Sequence, residues 1–286
     1  MKYLTKTIAT FIAFVLFIPA VIAQSDFITP QEFMKLKKDK NTVVISTQSE
    51  KNYKVSHITG SIYIKHKDLT KASGPEGVLK SSAELAKIFG AKGVSDKNLI
   101  VIYDDGKNKN STRMYWILKY LGAPNVKLLH KDMTAWRKAR VPITKAPTKI
   151  KATTFTAHVN KAIYADYAYV NSHLKDSKVV MIDARSASEF NGTSTKEKSN
   201  GHIPGAKNIE WKQVEKENGA LKTQAELKKL FEDNGITKDK TIVLYCGTSV
   251  RAAIIYVALR DLGYKNVKIY DGAYNEWVAK GGKLVK

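Results

Sequence analysis

The feature that most constrains the fold of this chain is an internal repeat with an offset of about 140 residues. The apolar run at 99–103 followed by Asp104 matches the run at 241–245 followed by Cys246. Further matches join 57–61 to 202–206, 120–122 to 261–263, and 126–136 to 267–277. A repeat of this length is too long for one solenoid unit, so it predicts two copies of one domain rather than an array.

Each copy has the pattern of an α/β domain, in which helices alternate with the strands of a mostly parallel sheet. In the second copy, the continuous apolar run 179–182 is typical of a strand buried on both faces. Thr223 is a suitable cap for an amphipathic helix that ends at Gly235. Together these signals predict strands at 179–182, 241–245 and 267–270, and helices at 225–234 and 250–262.

A stretch without apolar periodicity separates the two copies. It is rich in lysine and threonine and is interrupted by Pro142 and Pro147, which predicts a linker. We therefore expect a signal peptide at 1–23, a first domain at 24–143, a linker at 144–157 and a second domain at 158–286.

The N-terminus has the three parts of a secretory signal peptide. Lys2 and Lys6 precede an apolar run at 8–22, and Ala23 supplies the small residue at the cleavage site. The run is short for a membrane span of about 20 residues, and an uncleaved anchor is the alternative. We expect the mature protein to begin at Gln24, to be periplasmic or secreted, and to have no stable membrane insertion after cleavage.

The sequence is strongly basic, with a net charge of +22, and removing the two lysines of 1–23, which contains no acid, leaves +20. The lysines are scattered along the chain among acidic residues. No zinc-finger spacing, basic-zipper pattern or RNA-binding aromatic motif is present, so we expect a solvated basic surface and no nucleic acid partner. The histidines show no metal-ligand spacing, and neither a metal site nor another cofactor is predicted.

Cys246 is the only cysteine of the chain, which excludes a disulfide within it. It lies between an apolar strand pattern and a helical pattern, in a short loop rich in glycine, serine and threonine. A thiol at the start of a helix meets unpaired N–H groups and the positive end of the helix dipole, which favour the reactive thiolate. The alternative is a small core residue without chemistry. In an exported protein an unpaired thiol is a candidate reactive group, so Cys246 is a candidate nucleophile.

Four short motifs follow one another in the second half of the chain. They are Asp-Ala-Arg at 183–185, Gly-His-Ile-Pro-Gly-Ala at 201–206, the loop that begins at Cys246, and Tyr-Asp-Gly-Ala-Tyr at 270–274 with Trp277. In this order and at these separations they resemble the tandem rhodaneses, a family of two-domain sulfurtransferases, and weaker counterparts extend the resemblance over nearly the whole mature chain. The resemblance implies two tandem rhodanese-like domains, each a mostly parallel sheet flanked by helices.

The resemblance also implies a double-displacement reaction at Cys246. Its thiolate takes the outer sulfur of a small anionic donor and becomes a persulfide, from which a thiol or cyanide acceptor removes that sulfur. The guanidinium of Arg185 is expected to bind the donor, since it offers two parallel hydrogen bonds to an oxyanion. The loop after the cysteine is expected to bind it too, through Gly247, Thr248, Ser249, Val250 and Arg251.

Some of these residues have structural alternatives. The alternative for Arg185 is a structural ion pair with Asp183 or Glu189 in place of donor binding. For Arg251, stabilisation of the loop backbone is an alternative of equal weight. Asp183 and His202 are expected to support the structure.

The first domain has Asp104 at the position that corresponds to Cys246. A carboxylate cannot store sulfane sulfur as a persulfide, so this domain is expected to be catalytically inert. Its expected role is to pack on the second domain and to form a wall of the active-site cleft.

The sequence leaves the sulfur donor open. The loop begins as in the family's 3-mercaptopyruvate enzymes, but Ser249 and Arg251 stand where those enzymes typically have glycine and threonine. The stretch 76–80 also lacks the histidine typical of that group. We favour thiosulfate, with 3-mercaptopyruvate as the alternative and a non-catalytic sulfur carrier as a further one. A phosphatase or arsenate reductase with the rhodanese fold is another class to consider. Such enzymes typically have five residues between the cysteine and the arginine of the loop, whereas four residues separate Cys246 from Arg251. The shorter loop favours sulfur transfer over a reaction with phosphate.

Overall fold

The structure is a computed structural model that describes residues 25–195 and 200–286. The predicted signal peptide at 1–23 and the expected first mature residue, Gln24, lie outside the described residues. In the part of the chain that is described, no helix is both long and apolar enough to cross a membrane.

The first half of the chain contributes seven strands and five helices within its described part. The strands are β1 (Phe27–Ile28), β2 (Thr42–Ser46), β3 (His57–Ile58), β4 (Ile62–Tyr63), β5 (Leu99–Tyr103), β6 (Val126–Leu129) and β7 (Ile143–Thr144). The helices are α1 (Pro30–Leu36), α2 (Glu50–Val55), α3 (Ser82–Ala91), α4 (Lys109–Tyr120) and α5 (Met133–Lys138).

The second half repeats this pattern with five strands and five helices among the described residues. The strands are β8 (Tyr164–Ala165), β9 (Val179–Asp183), β10 (Lys207–Asn208), β11 (Thr241–Tyr245) and β12 (Val267–Tyr270). The helices are α6 (Tyr167–Ser172), α7 (Ala187–Phe190), α8 (Gln224–Asp233), α9 (Ala252–Asp261) and α10 (Ala273–Ala279). Short 3-10 turns occur at His66–Leu69, Lys161–Ile163 and Trp211–Val214.

The two halves build the same five-stranded parallel sheet. Its order is β1-β6-β5-β2-β4 in the first half and β8-β12-β11-β9-β10 in the second. The central pairs have the same register, with Thr42 opposite Leu99 in one sheet and Val179 opposite Thr241 in the other. The predicted fold class, two tandem α/β domains with mostly parallel sheets, is confirmed.

The predicted elements of the second half are found at or near their expected bounds. Helix α8 begins after Thr223, whose side chain accepts a hydrogen bond from the Glu226 backbone while Glu226 caps the Thr223 backbone in return. Helix α9 begins two residues later than expected, because Ser249 has a backbone φ of +60° and residues 250–251 form a turn. This delay lengthens the loop that follows Cys246.

The two domains share one hydrophobic core. Helix α4 of the first domain packs against α9 of the second, and both contribute to a single cluster of buried apolar side chains that includes Trp116 and Ile254. The Trp116 indole N–H donates to the carbonyl of Ile163, just before β8. Because the buried side chains of both helices belong to this cluster, the contact between α4 and α9 stabilises the association of the two domains.

Candidate active site

Cys246 lies at the carboxyl end of β11, in the centre of the second sheet, and only 1 % of its surface is exposed. The loop 246–251 joins this strand to α9. Its first two carbonyls accept hydrogen bonds from the start of α10: Tyr274 N donates to Cys246 O at 2.9 Å, and Asn275 N donates to Gly247 O at 3.2 Å. The backbone at Cys246 is therefore held both by β11 and by the start of α10.

Cys246 also lies where ligands are expected in this fold. In open parallel sheets, ligands bind at the carboxyl ends of the strands, and Cys246 directly follows β11.

Ser249 produces the turn within this loop. Its φ of +60° lies in the left-handed region, which favours glycine and costs a residue with a side chain about 1 kcal/mol. Its hydroxyl donates to the carbonyl of Tyr270, and the residue is completely buried. The hydrogen bond offsets part of this strain. It explains how serine is accommodated at the position where the 3-mercaptopyruvate enzymes typically have glycine.

Arg251 reaches back from the end of the loop toward the cysteine. Its two terminal nitrogens donate to the two carboxylate oxygens of Glu189 at 2.7 and 2.8 Å. Burial alone would lower the pKa of Arg251, but the hydrogen bonds with Glu189 and the negative charge of Cys246 raise it above its usual value. The guanidinium therefore stays charged beside the sulfur, where it stabilises an anionic sulfur species.

Glu189 is held in place as well. It belongs to a capping box at the start of α7, in which its carboxylate accepts hydrogen bonds from the Ser186 backbone and hydroxyl. Burial tends to raise the pKa of Glu189, yet the hydrogen bonds with Arg251 and Ser186 bring it below its ordinary value. The carboxylate is therefore ionised and fixes the geometry of Arg251.

Arg185 forms the ion pair with Asp183 that was its structural alternative, and it also lies in the lining of the cleft. It is 1 % exposed, and its guanidinium forms an ion pair with Asp183, with Nη2 donating to Oδ2 at 2.6 Å. Nη2 also donates to the carbonyl of Gly201 at 2.8 Å. The guanidinium carbon lies 3.9 Å from the ring centroid of Tyr274, a cation–π contact. Arg185 nevertheless lines the cleft above the loop, together with Tyr274.

The cleft over the loop has a volume of about 450 Å³ and is formed by both domains. The second domain supplies Arg185, Glu189, Gly247, Thr248, Val250, Arg251, Tyr274 and Asn275. The first domain supplies His66, Glu76, Lys109 and Asn110. Five of the predicted binding residues thus meet in one cleft, while Cys246 and Ser249 lie buried beneath its floor.

Asp183 and His202 are not part of the described lining of this cleft. Asp183 forms the ion pair with Arg185 described above. His202 stacks on Phe190 at 3.5 Å between ring centroids, and its Nδ1 is 3.0 Å from the Phe190 carbonyl. Its backbone pairs with Val285 near the C-terminus. These contacts are those of residues that support the loops around the site.

The first-domain residues of the cleft were not predicted. A sequence signal existed for Lys109 and Asn110, since the repeat puts them close after β5, and they form the start of α4 at the matching edge of the first sheet. His66 gave no signal. Burial and the nearby charge of Arg113 lower the pKa of His66 to about 4, so the imidazole is neutral at pH 7.

The first domain also covers the loop directly. A Cβ atom on Gly77, whose φ is +99°, would lie 2.7 Å from the Thr248 Cβ, so only glycine allows this approach. Nearby, the buried Arg113 donates to the Asp271 carboxylate at 2.5 Å. The other oxygen of Asp271 accepts from the Leu79 backbone at 2.9 Å. These contacts hold the first domain against the second beside the catalytic loop.

Asp104 occupies the equivalent position in the first domain and is 3 % exposed. Its Oδ1 accepts from the backbone of Gly106 at 2.7 Å and of Asn108 at 3.1 Å. Its Oδ2 accepts from the Ser111 backbone at 3.3 Å and hydroxyl at 3.2 Å. The backbone N–H groups of this loop thus surround a side-chain carboxyl group of the protein itself. No thiol is present there.

Comparison with known proteins agrees with this geometry. The model of the rhodanese-like domain matches residues 29–139 and again residues 166–280. The chain belongs to the rhodanese family. The predicted tandem arrangement of two rhodanese-like domains is therefore confirmed.

Individual relatives carry three related names. The chain is 30 % identical to the thiosulfate sulfurtransferase of Pseudomonas aeruginosa over 82 % of its length and 87 % of that protein. It is 33 % identical to the sulfur carrier protein TtuD of Thermus thermophilus, over 69 % of its length and 74 % of the relative. It is 27 % identical to the crystal structure of SseA from Escherichia coli, described among 3-mercaptopyruvate sulfotransferases, with a TM-score of 0.79 over 88 % of this chain and 99 % of that one.

These findings confirm the predicted enzyme class: the chain is a rhodanese-type sulfurtransferase. It therefore acts on a sulfur donor and a sulfur acceptor. The names of the relatives divide between two donors and favour neither.

Proposed function

We propose that this rhodanese transfers a sulfane sulfur from thiosulfate to a thiol or to cyanide through a persulfide on Cys246. The observation that carries the proposal is the position of the only thiol. It lies at the start of a loop whose far end, Arg251, is fixed by Glu189 beside the sulfur.

The first half-reaction is a displacement at sulfur. The Cys246 thiolate attacks the outer sulfur of thiosulfate and forms an S–S bond with it. The S–S bond of the donor breaks, and its electron pair leaves with sulfite. Arg251 is charged throughout and balances the negative charge of the attacking and of the formed sulfur anion.

The second half-reaction frees the cysteine. A thiolate or cyanide attacks the outer sulfur of the persulfide, and the electron pair of the broken S–S bond returns to Cys246 as thiolate. Sulfur is passed on without net oxidation of the enzyme, so the residues present suffice for the cycle.

Thiosulfate is a small dianion, and the cleft brings cationic groups to such a donor. Arg185, Arg251 and Lys109 are the three cationic side chains of its lining, and Glu76 and Glu189 are the two acids. Arg251 is paired with Glu189, and Arg185 is paired with Asp183 outside the lining. 3-Mercaptopyruvate is the second candidate, supported by the likeness to SseA over nearly all of that chain. A sulfur-carrier role without turnover is supported by the name of TtuD alone.

The deciding experiment is mass spectrometry of the full-length protein after incubation with each donor, followed by kcat/KM for both. Thiosulfate should add one sulfur atom to the peptide that contains Cys246, and Cys246→Ser should abolish both the adduct and sulfite release. An active Cys246→Ser variant would refute the proposal. A higher kcat/KM with 3-mercaptopyruvate would transfer it to that donor, and an adduct without release to acceptors would favour the carrier.

We also propose that the protein is exported and begins at Gln24, on the basis of the Lys-flanked apolar run at 8–22. N-terminal sequencing of the protein from the periplasm or medium should give Gln24 first. Retention of Met1 in that fraction would contradict the proposal.

A further inference from the structure

A second cavity of about 490 Å³ lies beside the catalytic cleft, between the two domains. We name it the interdomain pocket. Its lining consists of Gly106, Lys107 and Lys109 from the first domain and Trp211, Lys212 and residues 215–219 from the second. The reaction at Cys246, as derived above, uses none of the second-domain residues among these.

The interdomain pocket combines an aromatic wall with an excess of cations. Lys109 Nζ lies 5.3 Å and Lys212 Nζ 5.9 Å from the ring centroid of Trp211. Four lysines line the pocket, against the two acids Glu215 and Glu217. Burial raises the pKa of Glu215 to about 7, so one of the two acids is only partly ionised at neutral pH. Such a pocket favours a ligand that has both carboxylates and a flat surface to place on an indole.

Lys109 connects this pocket to the catalytic cleft, because it lines both. Burial and the cations Lys107 and Arg251 lower the pKa of Lys109, while the negative charge of Cys246 acts in the opposite direction. Because Lys109 lines both cavities, a ligand in the interdomain pocket that extends past Lys109 enters the cleft over the Cys246 loop.

We propose that the interdomain pocket binds the sulfur acceptor, and that this acceptor is a low-molecular-weight thiol of small-peptide size that carries carboxylates. The inference rests on the proposed function. The carboxylates of the acceptor pair with Lys212 and Lys216 at the outer end. Its amide groups pack on Trp211, and its thiol arm passes Lys109.

The transfer step is the second half-reaction with a positioned nucleophile. The acceptor thiolate attacks the outer sulfur of the persulfide and forms the acceptor persulfide. The bond from that sulfur to Cys246 Sγ breaks, and its electron pair remains on Cys246. Lys109 balances the charge of the approaching thiolate. Cyanide needs no such pocket, because it carries neither carboxylates nor a peptide part.

The test uses the full-length enzyme, with glutathione and cyanide as alternative acceptors and S-methylglutathione as an unreactive probe. The variant Lys212→Glu with Lys216→Glu reverses two exposed charges of the pocket. The control, Lys175→Glu with Lys265→Glu, makes the same change in net charge at exposed lysines that precede β9 and β12, at the opposite end of the strands from Cys246.

The pocket variant should raise KM for glutathione by roughly tenfold, since a single exposed charge contact contributes up to about 1 kcal/mol and two such contacts become repulsive together. KM for cyanide and formation of the Cys246 persulfide from thiosulfate should not change. S-Methylglutathione should compete with glutathione and alter the tryptophan fluorescence. Trp211→Phe should remove that fluorescence change. The control variant should behave as the wild type.

Three results would overturn the inference. They are an unchanged KM for glutathione in the pocket variant, an equal rise for glutathione and cyanide, and a failure of S-methylglutathione to bind the wild type. Failure of the proposed function is seen separately, as absence of the persulfide before any acceptor is added. Binding of S-methylglutathione needs no sulfur transfer, so the two failures are distinguishable.

Discussion

Asp104→Asn tests whether the first-domain loop is folded around its own carboxylate. In the wild type, Asp104 Oδ1 accepts from the Gly106 and Asn108 backbone, and Oδ2 accepts from Ser111. Asparagine keeps the shape of the side chain and one acceptor oxygen. Its amide group replaces the other oxygen, so a donor then faces the Ser111 N–H group.

The cost follows from these contacts. The Ser111 hydroxyl can rotate to accept from the new amide, but the backbone N–H of Ser111 cannot, and a buried donor without a partner costs about 1–3 kcal/mol. The two bonds to Oδ1 lose the assistance of the negative charge, which adds about 1 kcal/mol. We expect a loss of about 2–4 kcal/mol in the free energy of unfolding, or roughly 10 °C in Tm for a protein of this size.

The assay is thermal unfolding together with persulfide formation at a temperature well below Tm. Asp104 does not line the catalytic cleft, so sulfur loading of Cys246 should stay within about twofold of the wild type. Asp239→Asn, at a side chain that is 71 % exposed, is the matched control and should leave Tm in place. An unchanged Tm in Asp104→Asn would refute the idea that the carboxylate organises the loop.

Three further changes probe the second domain and the interface. Arg185→Lys keeps the charge but loses the forked contact with Asp183, so it should lower Tm and raise KM for thiosulfate by roughly tenfold, as steady-state kinetics would reveal. Ser249→Gly relieves the left-handed backbone but removes the bond to Tyr270, so calorimetry should find a change in unfolding free energy below about 1 kcal/mol, with sulfur transfer retained. Burial raises the pKa of Glu215 from 4.5 to about 7, so the folded state binds this proton more tightly than the unfolded state does. The protein should therefore lose stability as the pH rises from about 4.5 to about 7. Glu215→Gln should flatten this part of the pH profile of Tm.

The sequence predicted the architecture because the repeat and the apolar runs are local signals. Strands 241–245 and 267–270 are found as expected. The one clear shift, the start of α9, comes from the left-handed backbone of Ser249, which no propensity of serine indicates. A conformation fixed by a hydrogen bond to Tyr270, 21 residues further on, has no local signature.

The site was only partly predictable for the same reason. The motifs shared with the tandem rhodaneses predicted that Cys246, Arg185 and the loop lie together, and the structure brings them together at the ends of the neighbouring strands β9 and β11. The sequence indicated Glu189 as a possible partner of Arg185, whereas the carboxylate binds Arg251, 62 residues away. The sequence analysis gave no role to Tyr274 beyond its motif, whereas its ring contacts the Arg185 guanidinium in the cleft. Such pairings depend on tertiary distances that spacing along the chain does not encode.

The contacts between the halves are reciprocal. Residues around Gly77 of the first domain press on the Cys246 loop, and residues around Gly219 of the second press on the Asp104 loop, where Asn108 donates to Glu215. Each half therefore shields the other's loop, as the subunits of a two-fold dimer do. Joining such halves in one chain frees the two loops to change separately. The loop of the second domain has the nucleophile Cys246, whereas the loop of the first domain has a carboxylate, Asp104, that stabilises its own backbone. The first domain still covers the Cys246 loop, although its own loop has no thiol.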